Sequence, residues 1–157
     1  MPVAADFRAE LAVIRRSYVE ATPKQRLSIA KQRSRYPEHG PNVLVANVSA
    51  VEGFARCLAM HCHASSKAEL SVLYPKYRFK GAEDLIGEYL LARGLGEPRV
   101  FFGADVWELF QVAVEFRNLL AHECTYIGQD KSPALVDACQ AVLSALAESQ
   151  GLPRDVA

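Results

Sequence analysis

Glu115-Phe116-Arg117-Asn118-Leu119-Leu120-Ala121-His122-Glu123 closes a long apolar run and sets Arg117, Asn118 and His122 within two turns of a segment that otherwise reads as core helix. From Asp105 to His122 the residues Val106, Leu109, Ala113, Phe116 and Leu120 step by three and four, the period of a helix face turned to a core. Glu108, Gln111, Glu115, Asn118 and His122 step the same way and form a narrow polar stripe. Trp107, Phe110 and Val114 border it on one side, Val112 and Leu119 on the other. A helix so broadly apolar needs burial on several sides, so the stripe is expected to open to solvent through a slot or to face a second copy of itself. Asn118 and His122 lie about 40° apart around the axis and Arg117 and His122 about 140° apart, so the latter two meet only through the reach of the arginine stem.

Arg117-Asn118-Leu119-Leu120-Ala121-His122 resembles the motif of the HEPN superfamily: Arg, commonly Asn or another polar residue, three variable residues, then His. The resemblance covers this helix closely and the rest of the chain as an all-helical pattern. It implies an all-α, antiparallel HEPN-like helix bundle. It also implies a homodimer with Arg and His at the cleft between protomers and, in many members, metal-independent cleavage of RNA. Other members act as binding modules without catalysis, and many have an antitoxin-like protein partner.

The chemistry suits the residue types. Metal-independent cleavage of RNA needs a base for the 2′-hydroxyl, an acid for the leaving 5′-oxygen and positive charge on the phosphorane. Histidine can serve in either proton-transfer role near neutrality, and the helix C-terminus favours a cation at His122. The planar fork of Arg117 can hold two phosphate oxygens. Asn118 would orient the imidazole or the ribose, and Glu52, Glu115 and Tyr126 are the supporting polar candidates, with Glu52 expected near His122. The competing reading pairs Arg117 with Glu115 or Glu123 on the surface and leaves His122 as an ordinary helix-end residue.

The chain's 157 residues fit one domain, 1–157, with a real hydrophobic core. Eighteen basic and 18 acidic residues give a formal net charge of zero, so no global field draws in nucleic acid and RNA binding would rest on local patches. The first residues lack the pattern of a signal peptide and no charge-free stretch approaches a membrane span, which gives the expectation of a cytoplasmic protein without membrane association. Cys57, Cys62, Cys124 and Cys139 have no paired close spacing and read as reduced, packed thiols. Cys57 and His61 share a helix face, but without a CxxC partner no metal or other cofactor is expected.

In chain order, Ala4 to Ala21 reads as a helix with Phe7, Leu11, Ile14 and Tyr18 on one face. Thr22-Pro23 then opens a basic helix carrying Lys24, Arg26, Lys31, Arg33 and Arg35, either a solvated face or a phosphate patch, before the loop Glu38-His39-Gly40-Pro41. Val43 to His63 is a deeply apolar helix with a thin polar stripe of Ser49, Glu52 and Arg56, expected with Asp105 to His122 to be one of the two most buried. Ser66-Lys-Ala-Glu69 is a capping box for a helix that should stop before Pro75. Lys76, Tyr77, Arg78 and Lys80 then form a basic, aromatic stretch able to contact phosphates and stack bases, the alternative being that Tyr77 and Phe79 anchor the loop. Glu83 to Arg93 is a helix closed by Gly94, Asp105 is the expected N-cap of the motif helix with Glu108 completing its capping box, and Ser132-Pro133 opens a last helix ended by Gly151.

Overall fold

Local signals set the helix ends. In the computed structural model, which describes residues 4–35, 42–123 and 132–152, the chain is all-α. Eight helices are present among the described residues: α1 (Ala4–Val19), α2 (Pro23–Arg35), α3 (Asn42–His61), α4 (Lys67–Tyr77), α5 (Ala82–Ala92), α6 (Pro98–Phe102), α7 (Ala104–Glu123) and α8 (Ser132–Ser149). Thr22 Oγ1 accepts from Gln25 N at 3.2 Å while Gln25 Oε1 accepts from Thr22 N at 2.9 Å, a reciprocal cap for α2. Ser66 Oγ accepts from Glu69 N at 3.1 Å, and Glu69 returns its carboxylate to Ser65 N at 2.9 Å. Gly94 (φ 63) and Gly151 (φ 70) end α5 and α8 in the left-handed region. Each lets the next residue bond back into the last turn: Leu95 N to Leu90 O at 2.9 Å and Leu152 N to Ala147 O at 3.0 Å.

The hub is α3, which packs against α2, α4, α5, α7 and α8. Leu44, Val48, Val51, Phe54, Ala55 and Leu58 are buried along it. By length and composition it could span a membrane, but 72% of its apolar window is buried inside the protein, as in a core helix. Its buried amide Asn47 accepts from Gln140 Nε2 on α8 and donates to Val43 O at 2.8 Å, so the core carries this polar group satisfied. On α8, Leu135, Ala138, Val142 and Leu146 all point inward as their spacing requires.

Four expectations are corrected. The second most buried long helix is α8, since α7 leaves Leu109, Val112 and Leu119 exposed. The buried side of α7 is Trp107, Phe110, Ala113, Val114 and Leu120, so of the residues expected to border the polar stripe Trp107, Phe110 and Val114 are core, while Val112 and Leu119 stay exposed. Phe102 stacks on Trp107 (centroids 5.5 Å apart) and Trp107 on Phe110 (5.6 Å), and this aromatic ladder from α6 sets the rotation of α7. Third, α4 runs through Pro75 to Tyr77. Proline removes one helix hydrogen bond to residue 71, and Ser71 and Pro75 are both exposed, so the missing bond falls on the solvent side of α4. Fourth, Asp105 lies in the first turn of α7: Gly103 O accepts the first bond from Trp107 N at 3.0 Å, and Glu108 pairs with Arg99 at 2.7 Å instead of closing a box.

On α1 no residue is buried, and Phe7, Leu11, Ile14 and Tyr18 remain exposed along its one apolar face. In α2 the basic run is not one wet face: Lys31 is buried and Arg26 partly so, beside buried Leu27 and Ala30. The loop Glu38-His39-Gly40-Pro41, Cys124 and Tyr126 lie outside the described residues.

Candidate functional site

Rotation of α7 decides what its polar residues meet. With Trp107, Phe110 and Val114 facing the core, Arg117 points toward α3 and His122, about 140° around the axis, points to solvent. Arg117 Nη2 forms an ion pair with Glu52 Oε2 at 2.7 Å, with side chains only 15% and 20% exposed. Its Nε donates to Asn118 Oδ1 at 2.9 Å and its Nη1 to Ser49 Oγ at 3.4 Å. The expected neighbour of Glu52 was His122; the structure seats Glu52 on Arg117 because the arginine occupies the face of α7 that contacts α3. Glu115 is exposed and makes no ion pair with Arg117.

The other oxygen of Glu52 accepts from Arg56 Nη2 at 3.1 Å, so one carboxylate is shared by two guanidinium groups. Arg56 reaches further, donating from Nε to Tyr77 O at 3.1 Å and from Nη2 to Lys80 O at 3.0 Å, carbonyls at and beyond the C-terminus of α4. A continuous polar chain therefore runs from Asn118 through Arg117, Glu52 and Arg56 to the basic, aromatic stretch.

That stretch divides. Tyr77 is buried, its hydroxyl donates to Glu88 Oε1, and its ring is covered by Lys80 Nζ at 4.5 Å, so it is an anchor and cannot stack a base. Lys80 is itself paired with Glu88 at 2.8 Å. Lys76 and Arg78 remain exposed, with the Arg78 guanidinium 4.6 Å over the ring of Phe79, which is 85% exposed. The accessible cationic and aromatic surface is therefore Lys76, Arg78 and Phe79.

No protein-family model, curated protein or solved structure matches this chain. The site is thus read from its own chemistry. The chain joins Arg117 to Asn118, Ser49 and Glu52, but no hydrogen bond links Arg117 to His122, which stands exposed further along the helix. Cys57 and His61 share a different task from metal binding: Sγ lies 3.7 Å and Nε2 3.0 Å from the carbonyl of Ala21, pinning the α1–α2 turn to α3. Burial pushes the thiols of Cys57 and Cys139 up to about 12, so both are protonated and poor nucleophiles.

The Glu88 cluster gives a pH-dependent signature. Burial pushes the Glu88 carboxyl up, but the hydrogen bonds from Lys80 and Tyr77, with the charges of Lys80 and His63, outweigh it and hold the group below its ordinary 4.5. A carboxyl depressed in the fold stabilises it above the unfolded-state pKa, and the gain disappears as pH falls through the folded value. Acidifying from near neutrality to below that 4.5 should therefore lower the melting temperature of the parent more than that of Glu88→Gln. The difference at neutral pH should correspond to roughly 1 kcal/mol, read by thermal melts across pH.

Sequence reasoning identified the Ser49, Glu52 and Arg56 stripe but not its partner. Ser49, Glu52 and Arg56 follow a three-four step on one face of α3, and that spacing was the available signal. It also missed Glu88, whose role depends on Tyr77 and Lys80 converging from another element.

Proposed function

We propose that this chain is a HEPN-like helix bundle and a metal-independent endoribonuclease, cytoplasmic, whose site is completed between two copies. The observation that carries the reading is the outer side of α7. Exposed Asn118 and His122 stand there beside exposed Leu109, Val112 and Leu119, with Arg117 held at the stripe's edge by Glu52. Such an apolar strip alongside polar groups suits a contact between copies. Pairing would supply two copies of His122, one to take the 2′-hydroxyl proton and one to protonate the departing 5′-oxygen. The 2′-oxygen then attacks phosphorus, leaving a 2′,3′-cyclic phosphate and a 5′-hydroxyl. Two of the five N–H donors of Arg117 remain for the phosphate, and Asn118 orients the imidazole or the ribose. Lys76 and Arg78 would hold the RNA backbone.

A second reading is favoured by the Glu52 contact itself. A guanidinium already satisfied by carboxylate, amide and hydroxyl serves as a tie between α7 and α3, and the chain then acts as a non-catalytic module for dimerisation, RNA binding or an antitoxin-like partner. Mixed-sequence single-stranded RNA, incubated with and without EDTA and followed through its cyclic-phosphate ends, separates the two. Cleavage indifferent to chelator is expected from a chain that is dimeric by light scattering, with Leu119→Glu giving an inactive monomer. Cleavage that requires a divalent ion, or a monomer at every working concentration, overturns the endoribonuclease reading. Binding without cleavage supports the module.

A further inference from the structure

A cavity of about 40 Å³ lies between α1, α2, α3 and α4, away from the α7 stripe, and its polar lining is Tyr18, Arg26, Arg56, Cys57, His61 and Tyr74. On that measure one water needs about 10–15 Å³, so the space takes a small cluster of waters or one compact anion. We propose that it binds a phosphate-type oxyanion held between Arg26 and Arg56.

The charge balance calls for one. Arg26 forms no ion pair with an acid among the described residues; its contact is the ring of Tyr18, 4.9 Å from the guanidinium carbon. Stacking uses the face of a guanidinium and leaves its in-plane N–H donors available. Arg56 commits Nε and Nη2 to Glu52 and to the carbonyls of Tyr77 and Lys80, while its Nη1 makes no such bond. The single carboxylate of Glu52 is already divided between Arg56 and Arg117. Arg26 is therefore a cation in a partly dehydrated site next to a second cation. Burial, and then the neighbouring Arg56, oppose its charge. An oxyanion reverses that unfavourable balance, and planar forks hold two of its oxygens at once.

The backbone is shaped for this arginine. Gly53 lies in the middle of α3, where a glycine is unfavourable, and a Cβ built on it would stand 2.0 Å from Arg26 Nη2. The missing side chain is the seat of the guanidinium. Gly53→Ala therefore displaces the head of Arg26 without altering the charge of the protein, and as a helix-favouring change it tests the site without depending on a fragile fold.

The ligand is either free inorganic phosphate or the phosphate group of a monoester whose remainder leaves through the cavity mouth. Thermal melts and ³¹P NMR titrations of the full chain would use inorganic phosphate and, separately, adenosine 5′-monophosphate, with sodium chloride holding ionic strength constant. Both parent and His122→Ala should show a melting temperature that climbs with at least one probe. Gly53→Ala and Arg26→Met should each weaken that binding by about tenfold or more. The tighter probe identifies the source. Failure of both probes to exceed the chloride control, or parental affinity in Gly53→Ala and Arg26→Met, overturns the proposal.

Discussion

His122→Ala is expected to lower RNA cleavage by about 10² to 10⁴, the usual cost of losing a general acid or base, while leaving the melting temperature unchanged. The side chain is exposed and bonds to nothing else among the described residues, so its removal disturbs no packing. Arg117→Ala should abolish cleavage as well but differs in stability. Its side chain ties α7 to α3 through Glu52 and Ser49, and the loss should cost about 1–2 kcal/mol, because Glu52 keeps Arg56 as a partner. Glu52→Ala should cost more, about 2–4 kcal/mol, since it leaves two neighbouring arginines without their common carboxylate. Trp107, the only tryptophan of the chain, is buried in the aromatic ladder and reports unfolding in urea through its fluorescence. Equal stability of Arg117→Ala and the parent would remove the structural role given to the ion pair. Persistent cleavage in His122→Ala would remove the mechanism.

Phe54→Ala should produce the largest loss of stability, about 3–5 kcal/mol, because Phe54 is fully buried at the hub helix and its truncation leaves a cavity the surrounding helices cannot close. For a chain of this length that corresponds to a melting temperature lower by roughly 6–20 °C. Phe54→Leu, which keeps most of the volume, should cost under about 1.5 kcal/mol. Circular dichroism melts of the three chains provide the comparison. A loss below about 1 kcal/mol in Phe54→Ala would mean that α3 is not the centre of the core.

The helices were legible because their signals are local. Thr22 with Gln25, Ser66 with Glu69, and Gly94 and Gly151 act within a turn of the chain, and the three-four spacing of Leu135, Ala138, Val142 and Leu146 names the buried side of α8 correctly. The all-α class follows from such elements. On α7 the same reasoning placed Ala113 and Leu120 inward correctly but also put Leu109 in the core and Trp107, Phe110 and Val114 beside the polar stripe, so the inward face is rotated from the expected one. Apolar residues surround most of that helix, so its period does not single out a face, and the stacking of Phe102, Trp107 and Phe110 makes the choice.

That rotation explains what was and was not visible in the candidate site. Residue types and order alone determined that Arg117, Asn118 and His122 would share two helical turns near the end of an apolar helix. Only the tertiary structure decided that Arg117 turns inward to Glu52, 65 positions earlier, while His122 turns outward. It likewise decided that Tyr77 is an anchor and that Arg26 lies against the bare backbone of Gly53. Each of these pairings joins different helices, and their partners are chosen by how side-chain volumes fill the space between those helices, which periodicity along one helix does not encode.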